Sequence, residues 1–283
     1  MTGKINLILL ALIIGLGGPF YWFFLDASTR GSDVQPVAIE QLRALASTMK
    51  GEFPVEVRAA SIGIRHVPAD LLAAGTGVRP SAYLYQAFQL ITPSGKSITI
   101  DRGMSRSVAE HEDVSNFDPR AQTVIDQALR KSGLALVLDP SPHHSNRLNA
   151  PEELGSGLDS RRYLRQALPY AVAPGVVVIP ASSARPGTRM IYVRLQEGAE
   201  FLFTGDIAPV ATSWERARPP VRIVTSYLRR GNREQIGAWL RTIRALKAAA
   251  PQLQIVAGHD ASLPRSIKTG FMALPIETRS SAP

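Results

Sequence analysis

The sequence predicts a mixed α/β domain, a four-layer αβ/βα sandwich, preceded by a transmembrane helix. Three observations carry this. Apolar runs of strand length alternate with stretches of helical periodicity over most of the 283 residues. Two of the strand-like runs, residues 200–203 and 255–257, are followed by a glycine and then a side chain able to bind metal, Asp206 and His259. A third run, residues 5–25, carries no charge at all. Alternating elements bury their apolar faces when helices cover two stacked sheets, with a pocket at the strand ends between the sheets.

The elements follow in order. About twenty apolar residues span a bilayer's hydrocarbon core, so residues 1–25 read as a membrane anchor. The aromatic cluster Phe20, Tyr21, Trp22, Phe23 and Phe24 suits the interface. Lys4 and the amino group precede the run, which predicts a single-pass protein with its body on the extracytoplasmic (periplasmic) side. A cleaved signal peptide is the alternative; the long apolar region and the lack of an A-x-A site favour an uncleaved anchor. Gly17, Gly18 and Pro19 are expected to kink the helix. Residues 26–35 are small and polar and read as a linker. The domain proper spans residues 36–265, with an irregular tail over 266–283 and disorder expected at 280–283.

Within the domain, Ile39, Leu42, Ala46 and Met49 share one helical face that ends by Gly51. Residues 55–64 read as a strand, followed by His66 in a loop. Residues 87–92 and 97–103 read as two strands joined by a Pro93–Gly95 turn. Asp118 and Pro119 are N-cap and first residue of a helix that Gly133 ends. Residues 134–138 and 175–180 read as buried strands, with a short helix expected over 159–164. Residues 190–195 and 201–203 form a hairpin through Glu197 and Gly198. Residues 234–249 form an amphipathic helix with Ile236, Leu240, Ile243 and Leu246 inward, ended by Pro251.

Composition excludes some chemistry. There is no cysteine, so neither a disulfide nor a thiol nucleophile is available. The net charge is +9, with a basic stretch of Arg216, Arg218, Arg222, Arg229, Arg230 and Arg233. This reads first as a solvated face, otherwise as a surface for anionic lipid or an anionic substrate. Nucleic acid is not expected, because aromatic interleaving is confined to Trp214 and Tyr227. The expected partners are the membrane, through the amino-terminal helix, and an unidentified small-molecule or protein ligand.

The chemistry sits at Asp206 and His259. A strand end holds a ligand rigidly, and a preceding glycine lets the backbone turn there. In this order the two motifs resemble the fourth and fifth motifs of the metallo-β-lactamase-fold hydrolases, and the resemblance covers most of residues 80–262. It implies the metallo-β-lactamase type of sandwich and an H-x-H-x-D-H metal motif after the strand at 134–138. There the chain reads Ser141, Pro142, His143, His144, Ser145 and Asn146. With His143 matched to the second His, Ser141, Ser145 and Asn146 replace three ligands. Ala184 stands where the resemblance implies another His. Only His143, Asp206 and His259 remain of a two-zinc set, so a two-metal centre is not expected.

Two readings follow. The first is a membrane-anchored, catalytically degenerate relative that binds a ligand or partner and holds no metal tightly. The second is an active hydrolase of an ester, lactone, amide or phosphoester. It would use one zinc or iron at a shifted site of His143 or His144 with Asp206 and His259, and Asp206 would position the nucleophile. His111, among Glu110, Glu112 and Asp113, reads as an exposed acidic turn with a minor possibility of a metal cluster.

Overall fold

The computed structural model describes residues 2–29, 33–147 and 167–271; the helix expected at 159–164 and the tail end at 280–283 lie outside these. The amino-terminal helix α1, Lys4–Leu25, is 22 residues with mean hydropathy 2.1, long and apolar enough to cross a membrane. Gly17, Gly18 and Pro19 do not end it. Pro19 has no N–H to donate, and a wider π-type turn at Ile13–Gly17 precedes it.

Helix α2, Ile39–Ala46, is shorter than the sequence predicts. Ser47 and Thr48 turn back onto the carbonyls of Ala44 and Leu45, which leaves Met49 outside on the surface. Strands β1 (Glu56–Pro68), β2 (Pro80–Ile91), β3 (Ser97–Ile100) and β4 (Leu134–Leu136) form one sheet with β10 (Lys268–Thr269), in the order β10-β1-β2-β3-β4. His66 lies in β1, not in a loop. The β1–β2 hairpin continues to Pro68 opposite Pro80, with His66 opposite Ala82. The second sheet holds β5 (Tyr170–Ala173), β6 (Val176–Pro180), β7 (Arg189–Arg194), β8 (Glu200–Phe203) and β9 (Gln254–Val256), in sequence order.

Strand alternation makes each sheet two-faced, and three apolar layers result. Outside the second sheet, Leu42 of α2 packs with Leu240 and Ile243 of a long helix, Arg233–Ala249, against Val177, Ile179 and Leu202. Between the sheets, Phe88, Leu90 and Ile100 meet Val178, Ile191, Phe201 and Phe203. Outside the first sheet, the helices Arg106–His111 and Pro119–Lys131 lay Val108 and Ile125 on Ile62 and Tyr85. Asp118 caps the second of these by accepting from the N–H groups of Arg120 and Ala121. The architecture is the four-layer αβ/βα sandwich that the sequence predicts.

Besides β1 with the short β10, two strand pairs are parallel, β3 with β4 and β8 with β9. Each pair therefore delivers two carboxyl ends to one edge of its sheet, and the two edges meet. The segment read as a linker is tied down where it is described. Asp26 is buried against Arg222, and the N–H of Gln35 donates to Thr242 Oγ1 at 2.8 Å.

Phe88 and Phe203 meet edge-on across the middle layer with ring centres 4.8 Å apart. Phe203→Ala should destabilise the detergent-solubilised protein by about 3–5 kcal/mol, read from chemical denaturation. A loss under 1 kcal/mol would mean that this layer does not hold the sheets together.

Candidate metal centre

The loops after β8 and β9 cross with nothing between their backbones. A Cβ on Gly258 would lie 2.5 Å from the carbonyl oxygen of Gly205, and Gly205 itself has φ +51°. Glycine at both positions is what lets Asp206 and His259 approach each other. The N–H groups of Gly258 and His259 donate to the carbonyls of Ala208 and Pro209, locking the crossing. From the other sheet, the chain leaves β4 and forms a single helical turn, Pro142–Ser145, that turns both His143 and His144 inward.

Four buried side chains converge, His143, His144, Asp206 and His259, with one ligand atom from each all lying within 4.8 Å of one another. The Nε2 atoms of His143, His144 and His259 stand 3.6, 3.6 and 2.9 Å from Asp206 Oδ1. Donors bound tetrahedrally to zinc at its usual bond lengths are about 3.3 Å apart. The protonation pattern adds to this. His259 Nδ1 lies 2.9 Å from the carbonyl of Leu84, which only accepts, so Nδ1 carries the proton and Nε2 presents a lone pair to the carboxylate. His144 Nδ1 lies 2.7 Å from Asp101 Oδ2, and its buried Nε2 has no hydrogen-bond partner among the described residues. Three imidazole Nε2 nitrogens and a carboxylate oxygen thus face one point, where a metal ion can take the place of the proton that His144 holds without it. The residues present fit a single metal ion.

The other oxygen of Asp206 has different company. Oδ2 accepts from Arg229 Nη1 at 3.0 Å and from Arg185 Nη1 at 3.3 Å. Arg229 also donates to the hydroxyl of Tyr83 at 3.0 Å, and its other nitrogen lies 3.6 Å from Glu112. Arg185 lies 3.5 Å from Asp139, whose other oxygen accepts from Thr188. The ring of Tyr83 stacks on His259 with centres 3.8 Å apart.

The charges follow from these contacts. Burial disfavours ionised Asp206, but Arg229 and His143 overcome it and hold the carboxyl well below its usual range. Burial likewise opposes ionised Glu112, which His143 and Arg229 bring down to about 2. Burial opposes imidazolium at His144, yet Asp101 and Asp206 raise it to about 10. Burial lowers His259 to about 3 against the pull of Asp206. Burial also keeps the Tyr83 phenol protonated. Above these groups opens a cavity of about 290 Å³ with an apolar wall that includes Leu71, Leu72, Val224 and Leu228.

All four candidate ligands read from the sequence come together. The shifted site expected to use His143 or His144 has both. Of the replaced positions, Ser141 Oγ lies 3.3 Å from His143 Nε2, while Asn146 turns away to accept from the N–H of Ser105. Ala184 is buried packing. His111 ends its helix outside the cluster, and Glu112 beside it is the residue that reaches His143. Arg229, read as part of a solvated face, points into the cavity. Sequence reasoning missed Asp101, Tyr83 and Arg185, of which only Asp101 left a trace, as a carboxylate just past an apolar strand; Glu112 and Arg229 were named only as members of an acidic turn and a basic stretch.

No family model matches the sequence, and no curated protein does. Solved structures do match. One is a quorum-quenching N-acyl homoserine lactone lactonase, at TM-score 0.57 and 14% identity, covering 77% of this chain and 98% of that one. Another is an N-acyl homoserine lactone hydrolase with N-hexanoyl-L-homoserine bound at its catalytic metal centre, at TM-score 0.54 and 13% identity, covering 74% and 94%. A third is a probable metal-dependent hydrolase from Staphylococcus aureus, at TM-score 0.52 and 10% identity, covering 75% and 91%. At these identities the likeness establishes the fold: the chain has the metallo-β-lactamase fold.

Gly258→Ala should force the two loops apart. The expected result is a lower melting temperature and weakened binding of one equivalent of cobalt, read by visible absorption. Gly133→Ala, where a Cβ meets open space, should change neither. Unchanged cobalt binding in Gly258→Ala would show that the crossing does not position the ligands.

Proposed function

We propose that this protein is a membrane-tethered hydrolase with one divalent metal, zinc or iron, acting on a lactone or carboxylic ester. The observation that carries this is the convergence of three imidazole Nε2 nitrogens and Asp206 Oδ1 on one buried point. The likeness to lactonase structures supports the substrate class, and the apolar cavity wall suits an acyl group.

His143, His144, Asp206 and His259 would hold the metal, which supplies Lewis acidity and activates water. Asp101 and the Leu84 carbonyl fix the tautomers of His144 and His259, so that Nε2 is the free donor in each. Asp206 divides its two oxygens between the metal point and the guanidiniums. Here Arg229 and Arg185 provide the positive charge on its second side, which offsets the replacements at Ser145, Asn146 and Ala184. Arg229 is part-exposed at the cavity floor and is placed to donate to the oxyanion that develops on the substrate carbonyl. The neutral Tyr83 hydroxyl accepts from Arg229 and leans on Asp206, holding both in place.

The purified full chain should contain about one zinc or iron per molecule by elemental analysis, and chelator should lower its melting temperature. Asp101→Asn should weaken metal affinity about 10–100-fold. Absence of metal, with no effect of chelator, would leave the non-catalytic ligand-binding relative as the surviving reading.

Arg229→Gln should keep the metal and lower kcat for a simple lactone about 100- to 1000-fold, as loss of an oxyanion donor does. Equal kcat in the two proteins would remove Arg229 from the chemistry.

A further inference from the structure

We propose that the cavity opens onto the membrane surface and that its substrate is an amphiphile drawn from the bilayer. The apolar tail would lie along Leu71, Val224 and Leu228, with the ester or lactone group at Asp206 and Arg229. This rests on the spanning helix and on the hydrolase reading above.

The argument starts where α1 ends. Trp22 lies under the Arg222 guanidinium at 3.8 Å, and the Phe23 ring sits 6.1 Å from that of Tyr227. Asp26 Oδ2 accepts two hydrogen bonds from Arg222, at 2.7 and 3.1 Å. The carbonyls of Asp26 and Ser28 both accept from the buried Arg233. Ala27 packs with Leu71, Ala74, Val221 and Val224. The helix therefore does not lead into a loose tether. Its last turn is fixed to the segment that forms one wall of the cavity.

That wall ends in an apolar rim. Tyr227 and Leu228 are 63% and 65% exposed, one residue beyond buried Val224 and Thr225. Arg229, next in the chain, points back to Asp206, while Arg230 follows it on the rim. An exposed aromatic and an exposed leucine next to an arginine, beside the end of a membrane helix, match an interface of lipid tails and anionic headgroups. The rim continues the apolar surface of α1, so the occupant to which it is suited is the bilayer that holds α1. A substrate that partitions into that bilayer reaches the cavity without passing through water.

The chain has no cysteine, so single-cysteine labels report one site each. Full-length protein is reconstituted into phosphatidylcholine–phosphatidylglycerol vesicles with a nitrobenzoxadiazole label at Tyr227→Cys or at Lys96→Cys. Lys96 lies in the β2–β3 turn, at the opposite end of the sandwich from the ligand-bearing strand ends. Nitroxide-labelled lipid should quench the label at 227 several-fold more than the label at 96. Equal quenching in protein that floats with the vesicles overturns the proposal alone. Protein that does not float overturns the spanning helix and the proposal with it. In the metal-loaded protein, Tyr227→Ser should slow hydrolysis of p-nitrophenyl palmitate dissolved in the vesicles several-fold. Hydrolysis of aqueous p-nitrophenyl acetate should be unchanged. Equal effects on both esters overturn delivery from the membrane. If the parent hydrolyses neither ester, the hydrolase reading fails together with the substrate half of this proposal, and the quenching pair alone decides where the opening faces.

Discussion

The carboxylate of Asp206 has two sides that see opposite things, and the strand ends are organised around that division. Oδ1 meets imidazole nitrogens; Oδ2 meets guanidinium. An unpaired buried carboxylate is costly by several kcal/mol. The guanidiniums meet that cost on one side only. On the other side, carbonyl and carboxylate acceptors behind His259 and His144 hold those rings with Nε2 forward. The same geometry that positions the donors leaves that side with one cation to hold, the proton on His144 or a metal ion in its place. The glycine crossing, the Tyr83 stack and the buried Asp101 all maintain this division.

Much of this was legible in the sequence. Apolar alternation shows where the strands are buried, and a glycine before Asp206 and His259 marks tight turns at two strand ends. The pair His143 and His144 follows an apolar strand, so it too lies at an end. What stayed hidden depends on direction. Arg229 belongs to a run of arginines, and nothing in the run distinguishes the one that turns inward from those that face water. Glu112 looked like one of several acids in a turn; it is set apart by its helix ending over His143. Asp101 sits in a left-handed conformation, φ +66°, which aims its side chain at His144 and at the N–H of Leu138. The strand β1 ran past its expected end because its pairing with β2 continues to Pro68, with Arg65 half-buried at the cavity and His66 exposed to solvent.

Matching ligands one by one gave a site too poor for two metals. It left out a different kind of replacement. A guanidinium beside the Asp206 carboxylate is a charge that needs no ligands of its own, so the loss of His and Asp at neighbouring positions carries a smaller penalty. His144 also enters the site from a position that the aligned motif leaves unassigned, because a single helical turn starting at Pro142 points two consecutive side chains into the same cleft. The centre is better described as redistributed than as depleted.

The tie between Asp26, Arg222 and Arg233 has a kinetic meaning. A domain on a loose tether tumbles and meets solutes in three dimensions, at a rate set by their molarity. In the proposed membrane arrangement, a domain clamped to the last turn of its spanning helix has lost that freedom and presents one face. Its encounters are then governed by lateral diffusion, and the relevant concentration is mole fraction in the lipid. A compound scarce in water but enriched in the bilayer becomes abundant to it, and dilution by other lipids acts as a competitor without binding.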